Sequence, residues 1–428
     1  MVNSGDTAFV LISAALVAIM TPGVALFYGG LVHHRSVVAT MMQSFVSMGL
    51  ITVLWFVAGF SLAFGTDNGG IIGNLDWAFL RGVGMEPNPA YGATIPFIGF
   101  FAYQEMFAII TPALITGAFA DRMTFRSYLV FLGIWGMLVY VPLAHWLWGG
   151  GFLAQLGSID FAGGNVVHIS SGFAALASVF VLGSRIMKSP EDSYANSNTN
   201  GHTNGTGNGS GGPHSMPLVA IGAALLWFGW FGFNGGSALA ANGLAATAFV
   251  NTDIAASVAM VTWLIISWVH KGKPSMVGAL TGAVAGLVAI TPAAGYVEPW
   301  AAFVIGFAVA FVCYSAILFR ERMKWDDAVD VWGVHGAGGV FGGIATGLFA
   351  SPLVNGKAGL VYGDAGQFLA QLAAVSISAA FAFGMTYTIL KVMSFVTEVR
   401  VLPEVELKGL DICQIGEPAY DIAQRSPR

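Results

Sequence analysis

Apolar residues gather in long blocks along this chain, separated by short polar stretches. A helix needs about 20 of them to cross the hydrocarbon core of a bilayer. Eleven blocks qualify, near 7–32, 37–64, 94–119, 127–148, 163–184, 217–240, 253–270, 275–291, 299–319, 329–350 and 366–397. The pattern predicts an all-α membrane protein with eleven transmembrane helices. Only Lys271-Gly-Lys-Pro274 separates the seventh block from the eighth, which reads as a tight charged turn. The first block is too long for a signal-peptide core and its leader, Met1 to Asp6, has no Lys or Arg, so a retained helix is expected.

Positive charge orients this array, because Lys and Arg collect in cytoplasmic loops. Loops after odd-numbered blocks hold Arg35, Arg122, Arg126, Arg185, Lys188, Lys271, Lys273, Arg320, Arg322 and Lys324. The tail adds Arg400, Lys408, Arg425 and Arg428, with Lys391 just ahead of it. Only Arg81 and Lys357 fall on the other side. The expected topology is N-terminus out and C-terminus in, with an odd number of spans.

Two loops stand apart. Residues 66–92 on the outer side hold Gly, Asn, Pro and acids and are expected to cap a mouth. Residues 191–214 on the inner side are mostly Asn, Gly, Ser and Thr, which bury too little apolar surface to order themselves. That loop divides a membrane domain, 1–399, into five-helix halves at about 7–184 and 217–350, followed by a last helix at 366–397 and a cytoplasmic tail, 400–428. Five spans per half require opposite topologies, the inverted repeat of many transporters. The halves share short echoes: Val167-His168-Ile-Ser-Ser-Gly172 with Val334-His335-Gly-Ala-Gly-Gly339, and Phe27-Tyr-Gly-Gly30 with Phe233-Asn-Gly-Gly236.

Composition removes other classes. Of the 428 residues 9% are charged, against about 25% in soluble domains, too few for a water-exposed surface of this size. A net charge of -5 without a basic cluster disfavours nucleic acid. Cys313 and Cys413 are far apart and suggest neither a disulfide framework nor a zinc site.

Ionisable residues inside spans are costly and usually face a bundle interior or a pathway. The candidates are Glu105, His145, Asp160, His168, Asp330 and His335. His168 and His335 sit deep in equivalent helices, where pseudo-two-fold symmetry would bring them together near the midplane. Facing imidazoles offer a donor and an acceptor to each other and to a small passing molecule; the alternative is that each bonds a separate backbone carbonyl. Asp160 and Asp330 read as helix caps. Glu105 reads as a snorkelling or interface residue, a proton-relay carboxylate, or a partner of a basic group. Trp146 and Trp148, beside Gly149-Gly150-Gly151, are interface anchors by default, although an indole face at a pore mouth can also hold a cation.

Four segments are similar to a known family: His145-Trp-Leu-Trp-Gly-Gly-Gly151, Asp160-Phe-Ala-Gly-Gly-Asn-Val-Val-His168, Phe228-Gly-Trp-Phe-Gly-Phe-Asn-Gly-Gly-Ser-Ala238 and Asp330-Val-Trp-Gly-Val-His-Gly336. With Gly409-Leu-Asp411 and Gly416-Glu417 in the tail, the chain resembles the ammonium transporter/methylammonium permease/Rh family, in its ammonium transporter branch. The resemblance implies a plasma-membrane homotrimer with one pore per subunit, no cofactor, and PII-type signalling proteins as partners at the cytoplasmic face. It assigns Trp148 and Ser237 to an outer ammonium site, Phe107 and Phe233 to a phenyl gate, His168 and His335 to the pore, and Asp160 to structural support. Tyr103 and Glu105, in Tyr103-Gln-Glu-Met-Phe107, depart from the expected pattern. Three rival readings are a passive Rh-like channel for ammonia or carbon dioxide, an ammonium sensor, and an intramembrane metal or haem enzyme. Two histidines without a third ligand make the last a poor site.

Overall fold

A computed structural model describes residues 1–186 and 213–420 of the chain. The Asn/Gly-rich loop lies outside the described residues as far as 212, as does the tail beyond 420. Among the described residues nine helices are long and apolar enough to cross a membrane. They are Ser4–Leu31 (α1), Val37–Phe64 (α2), Phe97–Phe119 (α3), Phe125–Gln155 (α4), Gly164–Leu182 (α5), Met216–Ala238 (α6), Gly243–Lys271 (α7), Pro299–Arg322 (α9) and Ala365–Val396 (α11). The two remaining apolar blocks form the shorter helices Met276–Ile290 (α8) and Ala337–Phe349 (α10), the latter entered through a wide turn, Trp332–Gly336. In the loop after α2, Asp67–Asn68 and Ile72–Gly73 pair as a small antiparallel ribbon.

Polar side chains set the helix ends, and two ends differ from the sequence reading. The seventh block was expected to start near 253, with Asn251-Thr252-Asp253 at its edge. Instead α7 starts at Gly243, where the Asn242 side chain accepts from the Leu244 and Ala245 N–H groups. The run is tolerated because its donors find partners, Asn251 donating to the carbonyls of Ala294 and Val297 and Thr252 to that of Ala248, while Asp253 stays exposed. The second difference is at the entry to α10. Asp330 is not its cap; it has φ +62° and pairs with Arg320 at 2.8 Å. Asp327 takes the capping role, accepting from the Trp332 N–H at 2.7 Å.

Loops after α1, α3, α5 and α9 converge with the tail on one face. Buried Arg122 meets Asp326 at 3.3 Å, and Arg185 meets Asp326 at 2.8 Å and Asp121 at 3.2 Å. The tail docks onto the same loops. Asp411 accepts from Ala39 N–H, Gln414 from Phe125 N–H, and Glu406 from Ile186 N–H and Arg400. On the opposite face the N-terminus bonds the α2–α3 loop, from Asn3 N–H to the Thr94 carbonyl. Ser158 and Ile159 there bond Gln371 of α11.

Between these faces the helices approach closely through glycine. A Cβ on Gly172 would stand 2.1 Å from the Gly336 nitrogen and 2.9 Å from the His335 carbonyl carbon. A Cβ on Gly339 would stand 3.0 Å from Ile169 Cγ1 and 3.2 Å from the His168 Cβ. Each glycine lies four residues after its own histidine and packs against the other half's histidine. The V-H-x-x-x-G echo is therefore the crossing point of α5 and α10, where two small residues admit two backbones.

Candidate functional site

Three wide helical turns carry the central side chains. His168 lies in Gly164–Ile169, Phe233 in Phe231–Gly235 and His335 in Trp332–Gly336, all π-helical. Such turns are rare and recur at functional sites, because they turn one side chain away from its regular helical position. Asp160 enforces the first of them. Its buried carboxylate accepts from the N–H groups of Gly163 (2.9 Å), Gly164 (2.6 Å), Asn165 (2.8 Å) and Val166 (3.3 Å). Burial pushes this carboxyl above its ordinary value, against the opposing pull of those four donors.

The two imidazoles meet. His168 Nδ1 and His335 Nδ1 are 3.2 Å apart, with both side chains buried. Their tautomers follow from a chain of bonds that begins at Thr291. The Thr291 hydroxyl donates to the Leu287 carbonyl at 2.7 Å and accepts from Trp230 Nε1 at 2.9 Å. Having spent its proton, it can only accept from His168 Nε2, 3.4 Å away. In a neutral pair, His168 then carries its proton on Nε2 and accepts at Nδ1 from His335 Nδ1–H. His335 Nε2 is left as a lone-pair acceptor. Trp230 also lies over the His168 ring, with centroids 5.3 Å apart and planes at 23°.

These imidazoles line a narrow apolar cavity, with Phe27, Tyr28, Leu114, Trp230 and Phe233, that has room for about one water-sized molecule. A second, more open vestibule on the N-terminal face is lined by Gln104, Phe107, Trp148, Asp160 and Ser237 among others. Phe107 belongs to the vestibule and Phe233 to the inner cavity. Their rings, 4.3 Å apart, form the partition between the two. Trp148 stands edge-on to Phe107 at 5.8 Å and donates its indole N–H to the Asp160 carbonyl at 2.8 Å. That bond fixes the ring plane and leaves the π face as what the indole can offer.

The seven residues that the resemblance assigned thus come together: Trp148, Ser237 and Phe107 with Asp160 at the vestibule, and Phe233, His168 and His335 at the inner cavity. Glu105 does not join them. It is buried on the side of α3 turned to α2, facing Thr52. His145 is a brace, with Nδ1 2.9 Å from the Ala63 carbonyl and Nε2 2.9 Å from Asp67. Sequence reasoning missed Thr291 and the role of Trp230. Thr291 carried a signal, a hydroxyl at the very end of an apolar block just before Pro292.

Comparison with known proteins adds an independent line. The model of a family described as the Ammonium Transporter Family matches residues 8–420. An ammonium transporter of Bacillus subtilis is 46% identical over 419 residues, covering 97% of this chain and 98% of the relative. Ammonium transporter Amt1 of Archaeoglobus fulgidus is 45% identical, covering 98% of this chain and 100% of that one. Among solved structures, Mep2 of Candida albicans superposes with a TM-score of 0.85 at 36% identity, covering 94% of this chain and 87% of its own. A structure titled Sensor Amt Protein gives 0.85 at 29% identity, covering 95% and 97%.

Proposed function

Because this chain belongs to the ammonium transporter family, whose Bacillus subtilis and Archaeoglobus fulgidus members bear the name ammonium transporter, we propose that it binds the ammonium cation at Trp148 and Ser237, strips one proton, and passes neutral ammonia between Phe107 and Phe233 and along His168 and His335. The observation that supports this most is the pair of imidazoles sharing a 3.2 Å contact in an apolar cavity directly beneath the phenyl partition.

The energetics favour the neutral species. Placing a monovalent ion in a low-dielectric passage costs on the order of 20 kcal/mol by Born estimates and several after relaxation. Taking Lys, with a pKa of about 10.4, as a stand-in amine, deprotonation at pH 7 costs roughly 4–5 kcal/mol. An ion of similar size without a proton to lose is rejected. The indole face of Trp148 attracts the cation through its quadrupole, an interaction worth about 2 kcal/mol or more when desolvated. Inside, ammonia donates to the free His335 Nε2 lone pair, an otherwise missing partner in the apolar tube. The released proton travels separately along the imidazoles, so uptake carries current.

The reading extends to eleven spans with the N-terminus outside, a plasma-membrane homotrimer with one pore per subunit, and PII-type proteins meeting the basic face.

Ammonium-evoked current on a solid-supported membrane tests this. The unmodified protein gives a current that Trp148→Ala weakens at low ammonium and His168→Ala abolishes. Ammonia uptake without current in the unmodified protein would overturn charge movement in favour of plain gas conduction.

A further inference from the structure

Tyr103 stands where the family resemblance led to no expectation of a hydroxyl, and the structure gives that hydroxyl a specific place. Its ring is fully buried and packs edge-on against Phe107 at 5.0 Å. Its oxygen lies 2.9 Å from the Gly232 carbonyl, 2.8 Å from the Phe233 carbonyl and 3.2 Å from Ser237 Oγ. Ser237 Oγ lies in turn 2.9 Å from the Phe233 carbonyl. Two hydroxyl protons are therefore shared among two carbonyls and the hydroxyls themselves.

We propose that Tyr103 is a positioning residue that holds the Ser237 hydroxyl with its proton turned into the protein and a lone pair turned into the vestibule, so that the entrance takes an N–H-rich cation in preference to neutral ammonia. The proposal rests on the reading of Trp148 and Ser237 as the entrance site.

The argument is one of counting. Tyr103 O–H donates to a carbonyl, since leaving a buried donor unmade costs about 1–3 kcal/mol. The Tyr103 oxygen is then an acceptor for Ser237 and adds to the Phe233 carbonyl, so the serine proton has two inward partners where a phenylalanine at 103 would leave one. If Tyr103 donates to Ser237 instead, the serine proton goes to Phe233, and the result at the vestibule is the same. In either arrangement Ser237 offers an acceptor and no donor. An ammonium ion has four donors and no lone pair; ammonia has a lone pair that Ser237, held this way, cannot satisfy. Three other donors of the entrance are already spent. The Trp148 N–H is already given to Asp160. The Tyr91 hydroxyl is given to the Phe64 carbonyl, and that of Ser158 to Gln371. Gln104, also on the vestibule wall, presents a carboxamide with an acceptor end and a donor end.

The test compares ammonium-evoked currents in proteoliposomes of the unmodified protein, Tyr103→Phe, Ser237→Ala and the double variant. Tyr103→Phe keeps the ring and raises the half-saturating ammonium concentration about 3–10-fold while the maximal current holds. In the Ser237→Ala background the same change adds nothing, because the hydroxyl it positions is gone. The unmodified protein half-saturates at a total ammonium concentration that stays flat from pH 6 to 8, whereas recruitment of neutral ammonia would lower it about tenfold per unit. The proposal is overturned if Tyr103→Phe leaves half-saturation unchanged, if its effect persists in full without Ser237, or if the maximal current and thermal stability fall together. Absence of any ammonium current in the unmodified protein would instead defeat the underlying reading of the site.

Discussion

At Thr291 one hydroxyl serves three neighbours, and the tautomers of both histidines depend on it. It donates to Leu287 and accepts from Trp230 and His168. Thr291→Val keeps the shape and removes the acceptor, leaving two buried N–H donors unpaired. The expected cost is about 1–3 kcal/mol for each donor left unpaired, seen as a lowered midpoint of thermal unfolding in detergent. Ammonium current falls in the threonine variant, because His168 is then free to put its proton on Nδ1 and oppose His335.

At the scale of helices, the crossing of α5 and α10 decides whether the imidazoles can meet. Gly172 faces backbone across it, with a prospective Cβ 2.1 Å from a nitrogen that cannot move aside. Gly172→Ala is expected to push the helices apart, costing about 1–3 kcal/mol or more and abolishing current. Gly339 faces Ile169 Cγ1, the Ile169 nitrogen and His168 Cβ at 3.0–3.2 Å, well beyond the 2.1 Å at Gly172, so Gly339→Ala is milder. Gly384→Ala, in α11 with nothing within 4 Å, leaves both readouts unchanged. The order of unfolding midpoints, Gly172→Ala lowest, checks the crossing directly.

For the molecule as a whole, the face where the tail docks is held by buried ion pairs rather than by apolar packing alone. Burial, the largest influence on Asp326, pushes its carboxyl up. The hydrogen bond and charge of Arg185, then the charge of Arg122, outweigh it and hold the group at about 2. Since the unfolded carboxyl titrates near 3.9, the unfolded chain takes up the proton first as pH falls. The contribution, roughly 2–3 kcal/mol, is thus complete above pH 4 and lost as pH drops through 2. Unfolding midpoints measured from pH 7 to 2 should fall across that window in the unmodified protein. Asp326→Asn lacks that part of the fall and starts lower at pH 7, because it leaves Arg122 and Arg185 without their shared carboxylate, a loss of about 3–5 kcal/mol.

Hydropathy and charge by themselves determined where the helices run, the grouping of basic loops, and that His168 and His335 are equivalent candidates. Transfer of apolar surface out of water depends on local composition, and a 20-residue block declares itself whatever it packs against. The site residues were legible through their motifs, and the V-H-x-x-x-G echo already held the crossing in outline. Which atoms face each other was decided only by the tertiary structure. His168 and Thr291 are 123 residues apart along the chain, and Tyr103 and Ser237 are 134 apart. No local pattern distinguishes Asp327 from Asp330 as the cap, or places Glu105 against Thr52 rather than in the vestibule. A hydrogen bond is short-ranged and directional, so its partner is known only once distant helices have been brought to within 3 Å or so of one another.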